Sequence, residues 1–431
     1  MPSLSLGARI AGLLASVAFV APAAAQTPAG PNQTSLGLAE ALARASAADP
    51  SAAAAEARLA AAEAGVRQAV VRPNASLDLQ VENFAGSGPY SVVGRSETTL
   101  SYERPLERGG KREARTAQAR AEAAAVRLRA EVLRLDFLRD VQTAYAEALA
   151  AEAELLIADA RLVAVQASQR DVVRRVKSAR DPLFAASRAE ALTAQAEIER
   201  DRAREAARTA RAQLSATWDG SPDFTLKLDD FFNVTPPQLP PSGGVLAGEA
   251  PDEALLEAER DVAAAGLRVA RTREIADPIL RAGVRYFGEG DEAALVIGGS
   301  IPLGVRASAR AGVDRARAEQ RAAEQEIAAE RILRGRRIAG IVARMQAMAI
   351  EAERIRAEVV PHAIRTVEQV TAGFNRGGFE FRDVAEAERA LADARARRVE
   401  VLRDFHMAQA ELDRLTGRYR ALARTSFEER R

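Results

Sequence analysis

The residues able to do chemistry in this chain are few, and they are poorly spaced for it. There is no cysteine, and the only histidines are His362 and His406. That excludes disulfides, thiolate metal sites and a lipid-bearing N-terminal Cys, and an isolated His cannot make a metal site. Gly109-Gly110-Lys111 lacks both the spacing of a phosphate-binding loop and its Ser or Thr. Met345 and Met348 read as packing filler rather than as a metal-sensing stripe. With no nucleophile elbow and no ligand cluster, the parts of an enzyme are missing and no cofactor is expected. The formal charge is +1, so nothing points to nucleic acid.

Alanine, arginine and glutamate dominate and aromatic residues are few, a composition that with helical periodicity points to long helices or coiled coil. The first stretch reads as an export signal. Arg9 supplies a positive start, Ile10 to Val20 a short apolar run, and Ala23-Ala24-Ala25 a cleavage site, so residues 1–25 are expected to be removed. No later segment reaches the roughly 18 apolar residues of a membrane helix. A β-barrel would give the same hydropathy, because its strands alternate.

The chain resembles itself at an offset near 200 residues. Residues 103–122 (ERPLERGGKREARTAQARAE) recur as 300–319 (SIPLGVRASARAGVDRARAE), and Ala64-Gly65-Val66-Arg67 as Ala265-Gly266-Leu267-Arg268. Such a repeat predicts two similar lobes, 36–220 and 251–417. Between them 221–250 is rich in proline and reads as an extended linker, and 418–431 reads as a tail. Each lobe is expected to run helix, two strands, very long helix, tight turn, helix.

In the first lobe a helix from Leu36 to about Arg72 should end at Pro73. Ala75–Phe84 and Glu97–Pro105 then alternate, with Leu77, Leu79 and Val81 opposite Asp78, Gln80 and Glu82. In the second lobe Leu280, Ala282, Val284 and Tyr286 precede a Gly-rich turn and a further alternating run through Ile301. Strands of roughly 9–10 residues have the length that crosses a bilayer when tilted. Four strands cannot close a barrel, and open edges in lipid leave backbone groups unpaired. If these strands span a membrane, several chains must share one barrel; a half-buried soluble sheet is the other possibility.

The long helices are expected at about 108–178 and 305–372. Ile338, Ile341, Met345, Met348, Ala352, Ile355 and Val359 keep a heptad spacing that implies coiled-coil packing. Pro361 should kink the second helix.

Residues 72–115 (RPNASLDLQVENFAGSGPY…ETTLSYERPLERGGKREAR) resemble the region around the first two strands of TolC-family outer-membrane efflux proteins. ENFAGSG and RGGKREAR look most like the CzcC-type, heavy-metal branch. Residues 372–391 (AGFNRGGFEFRDVAEAERAL) are similar to that family's second hairpin turn. The resemblance implies a mixed α/β membrane protein. In that architecture a homotrimer supplies four strands per chain to a twelve-stranded outer-membrane β-barrel. The barrel continues into a long α-helical coiled-coil tunnel in the periplasm. It further implies a periplasmic adaptor and an inner-membrane RND-type pump as partners, with outer-membrane lipid around the barrel.

Matching residue by residue places Asp383 and Glu386 at the acidic periplasmic gate of the family. They lie three apart and so share one helix face. The two turns are the matching docking tips, with Arg175, Val176 and Ser178 in the first and Phe374, Arg376, Gly377 and Gly378 in the second. Family members lock this region with an aromatic and a basic residue. Phe374 fits the aromatic, while Phe379 stands where the basic residue is expected, so Arg376 or Arg382 would have to substitute. What the resemblance implies is a passive duct, for heavy-metal cations or for drugs and other small molecules. A periplasmic coiled-coil adaptor or scaffold is the alternative outside the family.

Overall fold

The computed structural model describes residues 35–90, 93–238 and 250–428. The expected export signal, 1–25, lies outside them.

The first lobe opens with a two-residue strand β1 (Ser35–Leu36), helices α1 (Leu38–Ala48) and α2 (Ala52–Val70), and strands β2 (Ser76–Glu82) and β3 (Glu97–Pro105). Helix α3 (Lys111–Lys177) then runs for 67 residues, about 100 Å at 1.5 Å per residue, and turns back as α4 (Leu183–Ala216). A short strand β4 (Thr225–Leu226) and a one-turn helix α5 (Asp229–Phe232) follow. The second lobe repeats the order as α6 (Pro251–Thr272), β5 (Ile279–Phe287), β6 (Glu292–Ser300), α7 (Val305–Arg354), a π-helical turn (Ile355–Val359), α8 (Val360–Arg376) and α9 (Phe381–Thr416). Helix α10 (Arg420–Glu428) ends the described chain.

Four differences from the sequence expectation have local causes. The helix expected from Leu36 to Arg72 is two helices. Pro50 disfavours helical backbone at Asp49, which sits at φ −50°, ψ 112° and accepts from the N and Oγ of Ser51 at 2.8 and 2.7 Å. The extended linker is partly ordered structure: β1 pairs in parallel with β4, and the α5 residue Phe231 is fully buried. The expected tail holds α10, whose Ala423 is also fully buried. Lastly, the Pro361 kink takes the form of the π turn just before it. Proline lacks the N–H that continues an α-helical ladder, and a π turn is one way to absorb the break. The extra residue in that turn also shifts the helix register. The heptad seam accordingly stays buried to Ile355, 8 % exposed, while Val359 is 45 % exposed.

The motif at 108–111 proves to be a pin between the lobes. Gly109 and Gly110 both have positive φ, +70° and +72°, and a Cβ on Gly109 would come within 2.5 Å of Ile275 Cδ1. Lys111 Nζ donates to Asp277 Oδ2 at 2.6 Å and to Ile275 O at 2.7 Å, and the Arg108 N–H donates to Asp277 Oδ1 at 2.9 Å. The start of α3 is thereby fixed to the segment that enters β5.

At mid-length the helices are tied by buried charge. Arg414 of α9 reaches Asp136 of α3 at 2.6 Å and Asp252 of α6 at 2.6 and 2.9 Å. Burial alone would lower its basicity, but the hydrogen bonds and charges of Asp252 and Asp136 outweigh that and raise it. Beside it, Arg334 of α7 donates to Leu415 O, Arg134 of α3 donates to Ser46 O of α1, and Arg420 of α10 pairs with Glu131. Around this node lies the main apolar core, with Leu36, Leu42, Leu138, Tyr145, Leu214, Phe231 and Leu402. His406 stacks on Phe231, with ring centroids 5.2 Å apart, and its Nε2 lies 3.1 Å from Phe231 O.

Burial lowers the His406 pKa, and the bond to Phe231 O offsets this only in part. A group whose folded pKa is depressed in this way is protonated first in the unfolded chain. The stability it contributes is therefore present above about pH 6.5 and declines as the pH falls below that value. The thermal midpoint of the helical signal should fall between pH 7 and pH 5, and less steeply in His406→Phe. Equal pH dependence in the two proteins would refute this role for His406.

Candidate functional site

The four long strands form one antiparallel sheet in the order β2-β3-β5-β6, joining the lobes through β3 and β5. Directly paired residues point to the same side, so the register sorts the sheet into two faces. One carries Leu77, Leu79, Val81, Leu100, Tyr102, Leu280, Val284, Tyr286, Leu295 and Ile297, from 44 % exposed at Tyr286 to 87 % at Ile297. The other is polar and better shielded, with Thr99 at 5 % and Ser101 at 1 %. No described helix packs along the sheet. Leaving such side chains in water forgoes about 1.5–3 kcal/mol each. The half-buried soluble sheet is thus set aside: its apolar face would be covered. Apolar-out, polar-in strands of this length are the wall of a membrane barrel. Among the described residues no helix is long and apolar enough to cross a membrane.

At the far end of the helices two turns lie side by side. The first follows α3. Ser178 caps that helix, its Oγ donating to Arg174 O at 2.9 Å, and the left-handed position of the turn is Ala179 (φ 54°). In the second turn Gly377 takes the left-handed position at φ 86°. Phe374 is not at the surface: it is 3 % exposed and packs with Val172, Ala185, Ala189, Phe381 and Val384. Its aromatic packing against the helices of both turns outweighs exposure at a tip.

The basic partner of Phe374 comes from the other hairpin. Arg175 lies 4.4 Å over the Phe374 ring, donates to Phe374 O, and forks onto Asp181 at 2.8 and 2.9 Å. The hydrogen bonds that Arg175 donates to Asp181 raise its pKa most; burial opposes them, and the charge of Asp181 adds to the rise. Neither Arg376 nor Arg382 makes this contact; Arg382 faces Asp383 at 3.9 Å. Phe379 instead covers Gly373, where an added Cβ would meet its ring at 2.2 Å.

Asp383 completes a capping box: its Oδ2 accepts from the Glu380 N–H at 3.0 Å, which fixes the start of α9. Glu386 is exposed one turn further on. Two features were not foreseen. Glu388, facing α3, accepts from Ser168 Oγ at 2.6 Å, and burial raises its pKa despite that bond and the charge of Arg161. Leu183 and Phe184, at the start of α4 beside the first turn, are 82 % and 70 % exposed, and Phe379 is 49 % exposed. The available signal was two large apolar residues straight after Pro182 and outside the alanine seam. Among the described residues no group of three or more His, Cys, Asp or Glu is placed to hold a metal ion.

A sheet that turns its apolar face outward, continued by helices about 100 Å long, defines a membrane duct with a conduit below it. Residues 285–418 match the family described as outer membrane efflux protein. The chain is 27 % identical over 358 residues to the cobalt-zinc-cadmium resistance protein CzcC of Cupriavidus metallidurans, covering 82 % of this chain and 83 % of that one. It is 28 % identical to the nickel-cobalt-cadmium resistance protein NccC of Alcaligenes xylosoxydans xylosoxydans, covering 53 % of this chain and 52 % of that one. Among solved structures, it superposes on the outer membrane protein VceC of Vibrio cholerae with a TM-score of 0.70 at 22 % identity, over 88 % and 96 % of the two chains. On CusC the TM-score is 0.72 at 16 % identity, over 89 % and 91 %. Over most of its length the chain is thus similar to outer membrane efflux proteins, and it shares the fold of the solved channels. The fold is that of the outer-membrane efflux channels, a four-stranded sheet continued by long paired helices.

Arg175 ties the two turns by charge-assisted hydrogen bonds, which contribute about 1.5–3 kcal/mol each. Arg175→Ala should raise amide exchange about tenfold or more in both turns together, at 171–184 and 372–384, and leave the mid-length node protected. Exchange that rises in the first turn alone would show that the turns are not coupled.

Proposed function

We propose that three copies of this chain form an outer-membrane duct that passively conducts heavy-metal cations. An inner-membrane RND-type pump, working through a periplasmic adaptor, supplies the energy and selects the substrate. The observation that carries the assembly is the four-stranded sheet, which has an uncovered apolar face and two free edges, β2 and β6. An unpaired edge in lipid costs several kcal/mol per backbone group. Three copies give twelve strands, within the range of known barrels. In this assembly 36–220 and 251–417 are the two lobes of each subunit. The described parts of 221–250, together with α10, belong to a belt around the tunnel.

The cargo assignment rests on relatives named for resistance to cobalt, zinc, cadmium and nickel. Asp383 and Glu386 fit an acidic narrowing, because threefold symmetry would gather six carboxylates around one axis and favour cations over anions. The adaptor would meet the exposed parts of the turns: Ser178, Arg376, Gly377 and Gly378, with Leu183, Phe184 and Phe379 as apolar contacts. Arg175 and Phe374 would act beneath them by holding the turns in place, with half-buried Val176 beside them.

A strain lacking this gene should become sensitive to cobalt, zinc or cadmium and be rescued by the gene. Sensitivity only to drugs or detergents would keep the duct and discard the metals. In planar bilayers Asp383→Asn with Glu386→Gln, which retains a hydrogen-bonding cap at 383, should raise conductance or weaken cation preference. Unchanged conductance and selectivity would remove the gate and leave the fold intact.

A further inference from the structure

The polar face of the sheet is more than a wetted surface. Strand register places five carboxylates on it, Asp78, Glu82, Glu97, Glu103 and Glu292, against two guanidiniums, Arg281 and Arg285. Both arginines are paired with carboxylates of the face. Arg285 of β5 donates from Nε to Thr99 Oγ1 at 2.9 Å and from Nη1 to Glu97 Oε2 at 2.8 Å, and its Nη2 lies 3.3 Å from Glu82 Oε2. It therefore spans three strands. Arg281 pairs with Glu103 on the neighbouring strand. Asp78 lies across from Ser101 and Gly283, neither of which can neutralise it, and Glu292 lies across from Phe287. Among the described residues neither Asp78 nor Glu292 has a cationic partner. The face thus carries five negative charges against two positive ones, with Asp78 and Glu292 standing outside the ion-paired brace.

We propose that this sheet face is a second selectivity zone of the duct, at the membrane end. In it Asp78 and Glu292 draw cations into the barrel, and Arg281 and Arg285 set how strongly. The inference rests on the assembly proposed above, in which this face lines the lumen. It is independent of the tip, because the sheet and the turns are separated by the full length of α3. The physical basis is that a wall of one charge sign raises the local concentration of the opposite ion. One charge about 8 Å from the axis changes that concentration about twofold in a water-like medium. The effect is screened as the Debye length falls from about 10 Å at 0.1 M salt to about 3 Å at 1 M.

The test is the reversal potential of the purified full-length protein in planar bilayers under a KCl gradient near 0.1 M. Asp78→Asn with Glu292→Gln should lower the potassium-to-chloride permeability ratio about twofold or more, and Arg281→Gln should raise it by a similar factor. Arg285→Gln should act in the same sense as Arg281→Gln; the single Arg281 change serves where loss of the three-strand brace impairs assembly. Both shifts should persist when Asp383 and Glu386 are neutralised, and both should shrink at 1 M salt. A merely structural role would not move the ratio in opposite directions for the two signs of charge. Variants that conduct with an unchanged ratio, or that shift it the same way, overturn the selectivity zone while leaving the duct in place. A wild-type protein that forms no pore overturns the duct, and this inference with it.

Discussion

Two strand edges that are unpaired among the described residues, β2 and β6, govern what the rest of this chain can be. A sheet with an apolar outer face needs lipid, and lipid does not tolerate an open edge. The chain already contains one instance of the remedy. Its two hairpins, one from each lobe, meet edge to edge where β3 pairs with β5 over nine residue pairs. The internal repeat is therefore a closing operation carried out once within the chain, and further copies of the chain can continue it. The Lys111–Asp277 pin sits where that seam passes from strand to helix. There it converts strand pairing into a fixed relation between α3 and the second lobe.

Rods about 100 Å long cannot be held only at their ends, and the chain places its strongest polar ties at mid-length. Within Glu131 to Asp136, less than two turns of α3, that helix is tied to α1, α9 and α10; Arg414 extends the node to α6, and Arg334 adds α7. Removing one partner of such a buried pair is costly, because it leaves the other charge uncompensated. The same level holds the large apolar core with Phe231 and His406. Towards the turns the packing thins to a small cluster around Val172 and Phe374. Regions with few buried apolar contacts open at lower free energy than the core. The molecule is accordingly best tied at mid-length and less so at its turns.

Much of this was legible because periodicity reports burial directly. The four strands lie within a residue or two of the alternating runs, and the heptad from Ile338 to Ile355 is the buried seam. What was not legible depended on pairings between distant residues or on the loss of a single hydrogen bond. Pro361 announced a break, but nothing in the sequence distinguished a bend from a π turn that turns Val359 outward. The prolines of 221–250 hid the apolar pattern of Phe224, Leu226 and Phe231, which anchors the belt. Arg175 meets Phe374 from 199 residues away, on the other hairpin from Arg376 and Arg382, and proximity in sequence does not reveal such a pair. Asp383 and Glu386 look equivalent on a helix face; only the cap at Glu380 separates them.

That separation bears on how an acidic gate can work. A carboxylate in a capping box is held by the backbone N–H it accepts from, and moving it away leaves the Glu380 N–H at the start of α9 without that partner. Asp383 is therefore suited to act as a fixed charge whose position follows the helix itself. Glu386, exposed and one turn further along, can reorient without affecting the helix. Motion of the turn then carries the charge at Asp383 with it, and Arg175 couples that motion to the neighbouring hairpin. In the proposed duct, discrimination would come from where fixed charges sit along the path. Their positions are set by capping, strand register and helix ties, the same interactions that hold the fold together.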